Sequence, residues 1–187
     1  MSSCTYLRDV IDEAMRISPP ISGTLWRELL VGDQGSNIPL IVDGHEVPAG
    51  TWVGVNMYTL HHNEEYFPEP FAFKPERWLA DTDPSKELAG KCNRREAFSS
   101  FGIGSRSCVG KAMAYLEANL VLAKTLWYFD FERPLDEDLN SVGSGKSGYS
   151  TGRDRVDEFQ LYDQFIADHD GPCLMFKARD ELWKELE

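Results

Sequence analysis

Cys108 stands in the run Phe101-Gly102-Ile103-Gly104-Ser105-Arg106-Ser107-Cys108-Val109-Gly110, directly ahead of a helical pattern that begins near Lys111. A cysteine at a helix start is favoured as its anion, because unpaired backbone N–H groups and the helix dipole stabilise negative charge there. Glycines near it let backbone amides approach the sulfur closely. A thiolate so placed can bind a haem iron from one side, push electron density onto it and favour cleavage of a bound O–O bond. Arg106, two residues before the sulfur, can pair with a haem propionate. A lone cysteine is otherwise read as a buried, inert thiol.

Phe101, Gly104, Arg106, Cys108 and Gly110 match F-x-x-G-x-R-x-C-x-G at every fixed position. In this the chain resembles the cytochromes P-450, whose haem loop carries that signature. Two upstream patterns follow in the order the family shows. Glu13 and Arg16 form E-x-x-R, a separation that puts both side chains on one helix face for an ion pair. Phe73-Lys74-Pro75-Glu76-Arg77-Trp78 resembles the P-E-R-W/F element, whose arginine joins the E-x-x-R pair in a buried network. By that resemblance Glu13, Arg16 and Arg77 are structural residues that hold the haem loop. Arg27 occupies the place where members often carry a second propionate-binding arginine. His61-His62-Asn63 resembles the family's H-R-D segment, a packing and hydrogen-bonding element; with no Glu or third His at ligand spacing, a zinc site is not indicated.

The resemblance covers nearly the whole chain, treated as a single partial domain over residues 1–187, and is greatest to fungal members. It implies iron protoporphyrin IX as cofactor, an NADPH-dependent reductase as electron donor and O₂-dependent hydroxylation of an apolar small molecule. Complete members have a longer N-terminal portion, including a distal helix whose acid or amide and threonine deliver protons to bound oxygen. No A-G-x-[DE]-T-like run occurs in these 187 residues. The expected partner is therefore that N-terminal portion, or a second copy of the chain. Two rival readings are a haem-independent cyclase or isomerase on the same scaffold, and a non-catalytic assembly subunit.

Around this loop the periodicity predicts the elements that must hold it. Leu7, Val10, Ile11, Ala14 and Met15 recur at helical spacing over Thr5 to Ile17, and Ser18, Pro19 and Pro20 end the pattern. Ala112, Met113, Leu116, Leu120, Ala123 and Trp127 mark one face of a second helix. Short β-rich stretches over 24–30, 37–42 and 51–58 predict a small, mostly antiparallel sheet, and further strands are expected at 130–134 and 173–177. Residues 61–107 read as a long packed meander, and the Gly/Ser-rich stretch 141–155 as a flexible loop. The fold class is α+β.

Composition narrows the partners. The 19 Lys plus Arg against 31 Asp plus Glu give a net charge of −12, which repels phosphate backbones and excludes nucleic acid. No apolar run approaches the roughly 18 to 20 residues of a membrane span, and the N-terminus has no signal-peptide layout. A cytoplasmic chain, or one at the cytosolic face of the endoplasmic reticulum, is expected. Cys4, Cys92, Cys108 and Cys173 form no C-x-x-C pair, consistent with free thiols in a reducing compartment.

Overall fold

The computed structural model describes residues 4–28, 40–79, 94–149, 154–156 and 158–186. Helix α1 spans Thr5–Ile17 and ends where Ser18 N–H donates to Ala14 O at 2.8 Å. Pro19 and Pro20 cannot continue the ladder. The face that α1 buries differs from the apolar stripe of the sequence: it carries Ile11, Glu13 and Arg16, whereas Ala14 is exposed. Two charged residues are tolerated there because they are paired and fully hydrogen-bonded.

The expected small sheet is instead three separate two-stranded antiparallel ladders among the described residues. β1 (Arg27–Glu28) pairs with β4 (Trp52–Val53), and β2 (Leu40–Val42) with β3 (His45–Val47). Asp43 and Gly44 turn the second ladder with φ of 48° and 76°, the left-handed conformation a two-residue hairpin of this twist requires. The strand expected to reach residue 58 stops at Val53. Asn56 caps a helix instead, its side chain accepting from Thr59 N–H at 2.8 Å, and α2 runs over Met57–His61. Residues 29–30 and 37–39 of the predicted strands lie outside the described residues.

The meander after α2 packs as its aromatic content requires. Phe67, Trp78 and Ala97 form a buried cluster joined by Leu60, Tyr66 and Phe98. Trp78 lies on the 3-10 turn Pro75–Trp78, against which α1 packs. Cys92 falls outside the described residues.

Helix α3 (Lys111–Tyr128) leads directly into β5 (Phe129–Glu132), which pairs with β6 (Met175–Ala178). Arg179 closes this end, donating to Leu126 O at 3.0 Å and to Asp130 Oδ1 at 3.1 Å. The side of α3 that is buried centres on Tyr115, while Met113, Leu116 and Trp127 of the predicted stripe are 64%, 68% and 59% exposed. The helix is apolar on more than one side, so spacing alone could not decide which side packs on α1.

α4 (Glu137–Asn140) follows, capped by Asp136. Of the 141–155 stretch, residues 150–153 lie outside the described residues; the part before them forms turns, with Gly145 N–H donating to Glu158 O at 3.3 Å. The C-terminal segment is tied to α2 by Tyr58 OH donating to Glu158 Oε1 at 2.5 Å, and to the end of α1 by Ala167 N–H donating to Pro20 O at 2.7 Å. Among the described residues no helix is long and apolar enough to cross a membrane.

Candidate functional site

The Cys108 loop is shaped by its own backbone. Gly102 and Gly104 take φ of 69° and 74°, where a side chain is strained, so the two reversals that fold the loop depend on glycine. Gly102 N–H donates to Ser99 O at 2.7 Å, Ser107 N–H to Gly104 O at 3.1 Å, and Cys108 N–H to Phe101 O at 2.7 Å. Gly110 is the N-cap of α3, and a Cβ placed on it would lie 3.7 Å from Cys108 Sγ. The thiol is free and exposed. Ile103 and Val109 on the same loop are also exposed, at 67% and 104%.

Three elements hold this loop from below. Ser100 Oγ donates to Met15 O at 3.1 Å, fixing the loop to α1. Ser99 N–H donates to His61 Nε2 at 3.1 Å, fixing it to α2. Phe101 packs on Tyr115 of α3 with ring centroids 5.0 Å apart, and Tyr115 OH donates to Asp12 Oδ1 at 2.6 Å, joining α3 to α1. The Arg8 guanidinium lies over the Tyr115 ring, 3.2 Å from its centroid. Burial, then the Asp12 carboxylate, pushes the Tyr115 phenol up.

Glu13, Arg16 and Arg77 meet where α1 packs on the Pro75–Trp78 turn. Arg16 forks onto Glu13, Nε to Oε2 at 3.0 Å and Nη2 to Oε1 at 2.9 Å, and Arg77 Nε donates to Oε1 at 3.0 Å. Lys74 N–H adds a bond to Oε1 at 2.9 Å and Trp78 Nε1 one to Oε2 at 3.0 Å. Burial by itself pushes the Glu13 carboxyl up, but these donors and the charges of Arg16 and Arg77 leave it below the ordinary value. Arg16 also donates to His61 O at 2.8 Å. His61 is pushed down to about 4, first by burial and then by the charges of Arg16 and His62.

Phe101, Gly104, Arg106, Cys108 and Gly110 thus share one loop, and Arg106 is exposed on it. Arg27 lies on β1, its guanidinium donating to Trp26 O at 2.8 Å. Tyr115 and Asp12 carry no signal in the sequence motifs, whereas Trp78 lies in the P-E-R-W pattern and His61 in the segment read as a packing and hydrogen-bonding element. The bonds that Trp78, Tyr115 and His61 make span 65, 103 and 38 residues along the chain, so no motif names their partners.

The donor set tests what Cys108 can hold. Among the described residues no three His, Cys, Asp or Glu side chains gather as a cage for a bare metal ion. One exposed thiol offers a single bond, so a metal bound here would have to bring its other ligands with it, as the iron of a haem does. An exposed sulfur amid apolar Ile103 and Val109 fits a flat, largely apolar macrocycle.

Family comparison agrees with this geometry. The family model described as Cytochrome P450 matches residues 1–152. A cytochrome P450 monooxygenase of Gibberella zeae is 41% identical over 182 residues, covering 97% of this chain and 39% of that relative. The cytochrome P450 monooxygenase AKT7 of Alternaria alternata is 43% identical over 178 residues, covering 95% of this chain and 33% of that relative. The chain therefore spans about a third to two fifths of the length of these curated relatives. Among solved structures it resembles the heme domain of cytochrome P450DA, with a TM-score of 0.64 and 19% identity over 92% of this chain and 30% of the other. It also resembles the cytochrome P450 CYP102L1, with a TM-score of 0.61 and 24% identity over 95% of this chain and 32% of the other. These likenesses give the fold, α+β in the arrangement of the same part of those proteins, and with the family match they establish that this chain belongs to the cytochrome P450 family.

Proposed function

We propose that this chain forms the haem-binding portion of a cytochrome P450 monooxygenase, with Cys108 as the residue that would hold the iron. The observation that carries the reading is the exposed Cys108 thiol at the start of α3, on a loop turned by Gly102 and Gly104 and clamped to α1, α2 and α3. When bound, haem supplies the redox chemistry that hydroxylates an apolar small molecule with O₂, using electrons from an NADPH-dependent reductase.

The residues of this chain do the holding. Cys108, exposed just before Gly110 at the start of α3, would hold the haem iron through its sulfur. Ile103 and Val109 give the macrocycle apolar contact and keep water from the sulfur. Arg106, and Arg27 from β1, are the cations for the propionates. Glu13, Arg16 and Arg77 take no part in the reaction; they hold α1 to the Pro75–Trp78 turn, and Arg16 reaches the loop through His61 and Ser99. The exposed apolar residues of α3, including Met113, Leu116 and Trp127, support a covering partner, which we assign to the longer N-terminal portion that the resemblance implies.

The test is an absorption spectrum of the purified chain supplied with haem, first as prepared and then reduced under carbon monoxide. A thiolate-type band supports the proposal. A chain that takes up no haem yet turns over a small molecule without redox chemistry would favour the cyclase or isomerase reading instead.

A further inference from the structure

We propose that His61 is a positioning residue for the Cys108 loop, its imidazole Nε2 holding the Ser99 amide and through it the backbone turn that carries the sulfur. The inference builds on the reading of Cys108 as the haem ligand.

His61 is fully buried at the end of α2, and its two polar ends face different structures. Its main-chain carbonyl accepts from Arg16 Nη1 at 2.8 Å, and Arg16 is already forked onto Glu13. Its ring accepts from Ser99 N–H at 3.1 Å. Beyond Ser99, a bond from Gly102 N–H to Ser99 O and another from Cys108 N–H to Phe101 O, both 2.7 Å, lead to the residue that bears the thiol. One side chain thus joins the buried charge network to the carrier of the sulfur.

The ring has little freedom to do anything else. It stacks on Phe98 with centroids 5.5 Å apart and meets the edge of Phe67 at 6.1 Å. Because Nε2 accepts, the proton of the neutral ring sits on Nδ1, which is buried and without a partner among the described residues. An orphan buried donor is unfavourable, and a phenylalanine in the same slot would avoid it. What the imidazole supplies and a phenyl ring cannot is the acceptor for Ser99 N–H. The Ser99 hydroxyl is engaged separately, with Met57 Sδ at 3.0 Å, so the backbone amide depends on His61.

The experiment compares wild type, His61→Phe and His61→Gln. Gln presents a side-chain oxygen about where Nε2 stands; Phe fills the space without an acceptor. Amide hydrogen exchange on the haem-free chain is expected to speed up roughly tenfold at Ser99, Gly102 and Cys108 in His61→Phe, the scale of one lost hydrogen bond. The amides of β5 and β6 should be unchanged, and His61→Gln should restore the wild-type rates. With haem and carbon monoxide, the reduced His61→Phe protein should show a smaller share of the thiolate-type band, and His61→Gln a normal share. If His61→Phe does not fold, His61→Asn replaces it, since its shorter amide stops short of Ser99. Acceleration confined to Ser99, equal acceleration in β5 and β6, or no rescue by Gln would each overturn the proposal. Should wild type take up no haem, the assignment of Cys108 fails while the exchange comparison still decides the role of His61.

Discussion

Trp78 Nε1–H donates to Glu13 Oε2 at 3.0 Å, on the same oxygen that accepts Arg16 Nε. The indole therefore completes the ring of donors around a carboxylate with no exposed surface, and it does so from the core cluster of Phe67, Trp78 and Ala97. A charge so enclosed is stable only while its donors are all present. Trp78→Phe keeps most of the apolar contact but removes this donor. It should lower unfolding stability by about 1.5 to 3 kcal/mol, the range for a hydrogen bond to a charged group. Urea denaturation checks this; an unchanged midpoint would show that the carboxylate does not need the indole.

Removing a charged partner should cost more. Arg77→Ala leaves Glu13 buried with one guanidinium, and Glu13→Ala leaves two guanidinium groups facing each other. Each is expected to destabilise by roughly 3 to 5 kcal/mol. The double variant should lose much less than the sum of the two, because both single changes break the same unit. Additive losses in a double-mutant cycle would mean that Glu13 and Arg77 act independently.

Stability should fall on the acid side in two stages. The folded value of His61, about 4, lies below the ordinary 6.5, so between these values the unfolded chain binds the extra proton. Stability therefore rises with pH through that window and levels off above it, a change on the order of 3 kcal/mol. His62, pushed down mainly by burial, adds to the same slope. Glu13 acts lower: its carboxyl is held below 4.5, so its contribution is present above that value and is lost as pH falls through its folded value. Urea midpoints across this range should show the first decline, and His61→Gln should flatten most of it. An unchanged slope in that variant would contradict the account.

Local signals made α1 and α3 legible in the sequence, since Pro19 and Pro20 stop one and Gly110 opens the other. The spacing of Glu13 and Arg16, and the P-E-R-W pattern, put the charged residues within reach of one another in the reading. Pairing over distance was not legible. Nothing local to Arg27 and Glu28 says that they pair with Val53 and Trp52, so three short ladders were read as one sheet. Nor does the spacing of Leu116 and Leu120 reveal that α3 turns Tyr115 toward α1, because that choice is made by Asp12 and Arg8 on the other helix. The sequence marks His61 as a packing and hydrogen-bonding element, but its particular partner, Ser99, depends on a meander with no period to follow.

A polypeptide of these 187 residues should give no coupled hydroxylation when supplied with haem, reductase, NADPH and an apolar substrate. On the proposed reading Cys108 and its loop would hold the haem, whereas oxygen activation also needs proton delivery and exclusion of bulk water at the reacting face. Electron supply is expected to end in peroxide or in loss of the cofactor. Adding the longer N-terminal portion of a family member in trans should raise the yield of hydroxylated product relative to NADPH consumed. Efficient coupling by the 187 residues alone would show that proton delivery resides within them.

The most direct test of the central claim replaces each described cysteine in turn. Cys4, Cys108 and Cys173 are all free thiols, and access alone does not distinguish Cys4 from Cys108, since both are exposed. What sets Cys108 apart is its place at the start of α3, on a loop turned by Gly102 and Gly104 and bonded to Phe101 O. The measurement is the reduced, carbon monoxide-bound spectrum of the haem-loaded chain. Cys4→Ser and Cys173→Ser should retain the thiolate-type band, and Cys108→Ser should lose it while the circular dichroism of α1 and α3 persists. A thiolate-type band that survives in folded Cys108→Ser would contradict the assignment.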